Sequence, residues 1–300
     1  MAQLQPSADA AIALPSRRVR RLPAWLRTPG GIAGFAGVAL FICVALLAPL
    51  LSPHDPNAIE LLNILKPPSA DHWLGTDQFG RDVFARIVWG SRVSLTVAVA
   101  SLGLAAAVGI FLGALAGYRG GWVDEATMRV VDVLLSFPDI MLAIAVTAIL
   151  PPGLVSTIVA IGVYNLPQVM RVTRGSVLSV RNNLYVEGAR AVGKSDWGIL
   201  VRYVIPNAMP PVLVLLTLRT AASILTASGL SFLGLGVQPP TPEWGAMISE
   251  ARTYLVTAPH LSLVPGLAIA GTVLSFNLLG DALNDALNPR MRGRLRVIGR

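Results

Sequence analysis

Between two long apolar runs lies a short polar segment, Glu187-Gly188-Ala189-Arg190-Ala191-Val192-Gly193, followed by Lys194, Ser195, Asp196 and then Ile205-Pro206. Residues 185–191 suit a helix, Gly193 is placed to end it in the left-handed conformation, and Ser195 or Asp196 can cap a second helix running to 204. Glu187 near the first helix's positive end and Arg190 near its negative end both favour the helix dipole. The chemistry open to such a segment is recognition. Gly188, Ala189 and Ala191 keep the helix thin, so another protein's surface can approach its backbone. An ordinary hairpin packed on the neighbouring helices would have the same composition.

Other reactive residue types are sparse. The three histidines, His54, His72 and His260, lie outside the apolar runs, so no nucleophile and base meet at bilayer depth and an intramembrane enzyme is excluded. His54, Asp55, Asp71 and His72 are of metal-ligating type, but they sit in a proline-broken loop without a ligand pair at i, i+4, and no metal site is expected there. Cys43 is the only cysteine, so no intramolecular disulfide forms. No Gly-x-x-x-x-Gly-Lys-Ser/Thr loop exists and the only lysines are Lys66 and Lys194, so the chain is expected to bind no ATP in that manner and no cofactor of its own. Arg219 lies midway along an apolar run, where a lone charge costs several kcal/mol unless it faces protein or water. It can line a path and attract a carboxylate, or pair with a neighbouring helix or subunit. Asp132 and Asp139 read as interfacial or helix-capping residues, and Asp281 closes the last run.

The elements that must carry these residues follow from composition. Hydrophobic residues make up 54% of the 300, charged residues 13%, and the mean hydropathy is +0.64, which marks an integral membrane protein. A bilayer core of roughly 30 Å takes about 20 apolar residues per helix. Apolar runs at 31–51, 94–117, 130–150, 153–170, 208–228 and 261–280 predict six transmembrane helices in an all-α fold, the fourth bounded by Pro167. With the N-terminus inside, 18 Lys and Arg flank the spans on the cytoplasmic side and five (Lys66, Arg81, Arg86, Arg92, Arg252) lie outside, so both termini are read as cytoplasmic. The net charge of +8 then reflects span-flanking residues meeting anionic lipid, and no nucleic acid is expected.

The organisation is therefore a basic tail over 1–29, a first transmembrane helix over 30–51, an extracytoplasmic segment over 52–90, a five-helix core over 91–281 containing the polar loop at 185–206, and a basic tail over 282–300. In the outer segment Thr76 or Asp77 can start a short helix with Val83, Phe84, Ile87 and Val88 on one face, lying on the membrane surface before the second span. Residues 230–245 are apolar at first but broken by glycines and prolines, which suggests either a bent outer gate or an interfacial turn anchored by Trp244.

The polar loop resembles the EAA loop of ATP-binding-cassette import permeases, a Glu-Ala-Ala-x-x-x-Gly run with an apolar-Leu-Pro downstream; Gly188 and Ile205 depart from it. Leu74-Gly75-Thr76-Asp77 through Gly80-Arg81-Asp82, Gly90-Ser91-Arg92-Val93-Ser94-Leu95, Ser231-Phe232-Leu233-Gly234-Leu235-Gly236-Val237-Gln238-Pro239-Pro240 and Asn277-Leu278-Leu279-Gly280-Asp281 are similar to the DppC/OppC-like subunit of dipeptide and oligopeptide importers. The likeness covers about residues 25–292; Ala227, Asn284 and Asn288 depart from it. It implies a type I ABC importer permease in the bacterial inner membrane, paired with a DppB/OppB-like permease. Two ATPase subunits would hold ATP and Mg, and an extracytoplasmic binding protein would deliver the cargo: dipeptides, longer peptides, glutathione, nickel chelates or some sugars. Glu187, Gly188, Ala189, Arg190, Gly193 and Asp196 would then form the ATPase-coupling loop; Arg219, Ser231 and Phe232 are candidates for the path, and Gln238, Glu243 and Trp244 for the outer gate or binding-protein contact. The alternative, an ATP-independent secondary transporter or channel, wants inverted repeats and paired ionisable groups at mid-membrane. Neither is present in the sequence.

Overall fold

The computed structural model describes residue 26 and residues 28–287, so most of the two basic tails, Asn288 included, lies outside the described residues. Every regular element among the described residues is helical: α1 (Pro29–Leu46), α2 (Ala48–Leu51), α3 (Val83–Arg119), α4 (Gly121–Leu135), α5 (Asp139–Ile149), α6 (Leu154–Val180), α7 (Leu184–Ala191), α8 (Asp196–Ile199), α9 (Ile205–Phe232), α10 (Trp244–Ala251) and α11 (His260–Leu287). A π-helical turn, Leu200–Val204, joins α8 to α9. Four stretches are long and apolar enough to cross a membrane: α1, α3, the run from Asp196 to Phe232, and α11. The bent pair α4 and α5 makes a fifth if it counts as one span. At 27 residues and about 1.5 Å per residue, α6 is also long enough, but Asn165, Arg171 and Arg174 make it less apolar.

Local chemistry sets the ends. Thr28 caps α1 by accepting from the Gly31 N–H, and Asp82 caps α3 by accepting from the Ala85 N–H. Three sequence expectations change here. The outer helix expected from 76 or 77 does not form separately: residues 76–82 fold as a tight turn closed by a Thr76–Asp82 bridge, and α3 runs unbroken for 37 residues. The expected apolar face is thus the first two turns of a span. The run at 130–150 is not one helix either; α4 ends before Pro138, which disfavours helical backbone at the residue preceding it, and the axis turns by 93°. Conversely, α6 continues through Pro167 to Val180. An interior proline costs roughly 3 kcal/mol, yet α6 is packed against α3 along its length, and its polar end is held to α4 by the pairs Arg171–Asp132 and Arg174–Asp124.

The α3–α6 seam is the most extensive helix pairing among the described residues. Gly109, Gly113 and Gly117 repeat every four residues along α3, and a Cβ on them would stand 2.9 Å from Val169 Cβ, 2.5 Å from the Met170 carbonyl oxygen and 2.8 Å from the Arg174 carbonyl oxygen. Small residues at this spacing let helix backbones meet where lipid offers no hydrophobic drive to association. At the end of the bundle that carries α10, called outer after the charge-based reading, a core of Val38, Leu95, Ile224, Trp244, Met247, Leu261 and Phe276 joins α1, α3, α9, α10 and α11. At the opposite end Ala114, Val177, Val186, Ala189, Ile199, Leu200 and Val204 seat α7 and α8 on α3 and α6.

Candidate functional site

The polar loop is a built platform. Helix α7 spans Leu184–Ala191, Gly193 takes φ +76°, and the Lys194 N–H returns to the Ala189 carbonyl at 3.2 Å while the Gly193 N–H bonds the Arg190 carbonyl at 2.9 Å. This is the left-handed helix ending that the glycine was expected to supply. Ser195 then caps α8, its Oγ accepting from the Gly198 N–H. Val186 and Ala189 face inward and are buried, whereas Glu187, Gly188, Arg190, Ala191, Gly193 and Asp196 face out. Of the small residues expected to thin the helix, Ala189 therefore seats it on the bundle, and Gly188 and Ala191 form the outward surface. Tyr118, at the end of α3, joins the platform without any local signal in the sequence. Its hydroxyl donates to Asp196 Oδ1 at 2.9 Å and its ring lies under the Arg190 guanidinium, 5.7 Å away. Trp197 meets Phe111 of α3 edge-on at 6.5 Å.

The candidates for the path do not form one cluster. Arg219 and Ser231 are twelve residues apart on α9, about 18 Å along a helix. Arg219 is half-buried, donates to the Tyr164 hydroxyl of α6 at 3.2 Å and lies over its ring, with no acidic partner among the described residues. Ser231 is buried; Phe232 is exposed and lines a hollow with Ile140, Leu225 and Ile248.

At the outer end the residues after α9 fold back as an ordered turn into α10. Gln238 is exposed, braces the carbonyls of Gly234 and Gly236, and lines a hollow with Arg92, Val93 and Leu154. Trp244 is 1% exposed; its Nε1 donates to the Ile87 carbonyl at 3.1 Å and its ring packs on Phe41, so it pins α10 to α3 and α1. Glu243, also 1% exposed, caps α10 through the Ala246 N–H at 2.8 Å and accepts from Ser94 Oγ at 3.2 Å. In this chain alone, neither residue offers its side chain to a binding protein.

Burial pushes the Glu243 carboxyl above its ordinary value, with the N–H groups of Gly245 and Ala246 pulling back. A raised folded-state pKa means that the folded protein holds the proton more tightly, so this group's contribution is fullest below the ordinary carboxylate range and is lost as pH rises through the raised value. Glu243→Gln should therefore lie above the wild type in unfolding temperature at pH 8 and converge with it near pH 4. A thermal-shift series across that range checks this, and parallel curves would contradict it.

Sequence reasoning missed a second outer cluster. Arg81 Nε pairs with Asp77 Oδ2 at 2.6 Å and its Nη2 with Glu250 Oε2 at 2.8 Å; Arg86 lies 3.6 and 3.5 Å from the same two oxygens. The available signal was Arg86 standing among Val83, Ile87 and Val88 on an apolar face. His54 and His72 also come together, with Asp82 rather than with Asp55 or Asp71.

The matches to known proteins agree with this architecture. Residues 109–293 match the family described as binding-protein-dependent transport system inner membrane component, and residues 19–68 match the N-terminal TM domain of oligopeptide transport permease C. The chain is 43% identical over 293 residues to the glutathione transport system permease protein GsiD of Pectobacterium atrosepticum, covering 97% of both, and 46% identical over 257 residues to that of Escherichia coli, covering 85% of both. Two inward-facing structures of the MetNI methionine ABC transporter share the fold at TM-scores of 0.56 and 0.55, with 18% and 17% identity, over 68% of this chain and 96% and 97% of theirs. With more than half its length inside one family and a full-length relative at this identity, the chain belongs to the binding-protein-dependent transport system inner membrane components, as the membrane permease subunit of an ATP-driven importer.

Proposed function

We propose that this permease carries glutathione or similar short peptides, forms half of the path with a homologous permease, and is driven through α7 by two ATPase subunits while an extracytoplasmic binding protein delivers the cargo. The cargo class rests on relatives named for glutathione transport. In this reading α1, α3, the α4–α5 pair, α6, α9 and α11 are six spans and both termini are cytoplasmic, which the distribution of Lys and Arg favours.

The observation that carries the coupling role is the outward face of α7, with Glu187, Gly188 and Arg190 exposed on a helix whose opposite face, Val186 and Ala189, is locked into the bundle. A partner that grips the outward face moves the bundle with it. ATP binding on the partner then biases two packings of the permease, a population shift driven by differential affinity.

Gly193 tests this. A Cβ there meets no atom within 4 Å, so the only obstacle to a side chain is the positive φ. Gly193→Val should cost roughly 1 kcal/mol or more locally, leave membrane insertion intact, and lower ATPase co-purification and uptake about tenfold; Gly193→Asn, which tolerates left-handed backbone, should be mild. Normal uptake and normal ATPase retention in the valine variant would remove the role.

A further inference from the structure

We propose that His54, His72 and Asp82 form a resident binding site for a transition-metal dication of the zinc class, just ahead of α3. His54 Nδ1 lies 2.6 Å and His72 Nδ1 3.2 Å from the same oxygen, Asp82 Oδ2, and the three ligand atoms all lie within 4.8 Å of one another. The two imidazoles are 5.2 Å apart, tilted by 43°. Tetrahedral zinc with bonds near 2.1 Å places its ligands about 3.4 Å apart, so His54 must move outward from Asp82 by under about 1 Å and the two imidazoles must settle to that separation from within 4.8 Å.

Without metal, two Nδ1–H groups can share the one carboxylate oxygen. With metal, each imidazole carries its proton on Nε2 and offers the Nδ1 lone pair, so a dication replaces two hydrogen bonds. The supporting contacts leave this pair of functions free. Asp82 uses its other oxygen, Oδ1, to cap α3 through the Ala85 N–H at 3.2 Å, and the backbone N–H of His72 is fixed by Ser69 Oγ at 3.1 Å. The guanidiniums of Arg81 and Arg86, which would oppose a cation, are already engaged by Asp77 and Glu250. Outer-shell bonds of this kind orient ligands and tune affinity.

Access is open on one side. His72 and Asp82 are buried, but the His54 side chain is 38% exposed and borders a hollow lined by Pro49, Ser52, Asp55, Trp89 and Thr241, so water can complete the coordination. Two imidazoles and one carboxylate suit zinc, nickel, cobalt or copper; calcium and magnesium want more oxygen ligands. The bound ion would tie two separated parts of the outer segment to the helix start.

The test uses the full-length permease in its assembled complex, purified without a polyhistidine tag. After incubation with Zn2+ and buffer exchange, metal is counted by mass spectrometry, and Co2+ substitution is followed by visible absorption. We expect one Zn2+ per chain that millimolar Mg2+ or Ca2+ does not displace, with affinity falling at least tenfold in His54→Gln and His72→Gln and the cobalt bands lost. Asp82→Asn, which can still cap α3, should weaken binding similarly while the complex stays monodisperse. Zn2+ retention equal in the wild type and all three variants, retention no better than that of Mg2+, or an unchanged cobalt spectrum in the histidine variants would overturn the site.

Discussion

Glu250→Ala is expected to destabilise the permease by about 3–5 kcal/mol, because it strips a buried charge cluster of half its negative charge and leaves two arginines to a single carboxylate. The side chains of Arg81 and Arg86 are 4% and 2% exposed and that of Glu250 19%, so neither guanidinium can turn to water without opening the outer core. Asp77 alone would face both cations. It is already occupied, since its Oδ1 accepts from the Phe79 and Arg81 N–H groups. Arg86 Nη1 would keep only the carbonyls of Pro56 and Pro240 at 3.3 Å. Thermal unfolding of the purified complex should show the loss, and Glu250→Gln, which keeps a hydrogen-bond acceptor but no charge, should fall between. An alanine variant within 0.5 kcal/mol of wild type would show that these charges do not hold α10 to α3.

Arg219→Leu is expected to raise the substrate concentration for half-maximal uptake about 10- to 100-fold, the equivalent of one hydrogen bond to a charged group at about 1.5–3 kcal/mol. The basis is that Arg219 has a phenol and a ring for company and no carboxylate in its own chain among the described residues. If Arg219 lines the proposed path, its positive charge is available to cargo. Arg219→Lys keeps that charge without the two-pronged donor and should recover part of the loss. Assembly with the partner permease should be unchanged in both. If the leucine variant instead assembles poorly while its residual uptake has normal affinity, the charge is neutralised by the partner subunit and does not serve the cargo.

The polar loop at 185–206 was the most legible part of the chain because its signals are local. A glycine in left-handed backbone and a serine at a helix start act within four residues, and both occur where the spacing put them. The helix that crosses from 83 to 119 was half read, since Asp82 is as good a cap as Thr76 or Asp77 and only the tight turn before it decides between them. Pro167 misled because local cost was weighed without the long packed seam that outweighs it. The outer cluster was illegible for a different reason: Arg81 and Glu250 are 169 residues apart, and no periodicity in one chain joins them. His54, His72 and Asp82 failed likewise, with spacings of 18 and 10 that match no helical ligand pair.

The glycine seam between α3 and α6 has a mechanical consequence. With backbone against side chain at Gly109, Gly113 and Gly117, any side chain at these positions would collide with Val169, Met170 or Arg174, so α3 and α6 stand as close as glycine allows and brace one another as a rod. That rod is about 55 Å long at 1.5 Å per residue. It carries Tyr118, which holds the α7–α8 platform, at one tip and Arg86, which holds α10, at the other. The elbow before Pro138, where the axis turns by 93°, lies off it. In the proposed importer, a tilt applied at the platform would be carried along this single helix to the end that holds α10, so one lever would serve both doors.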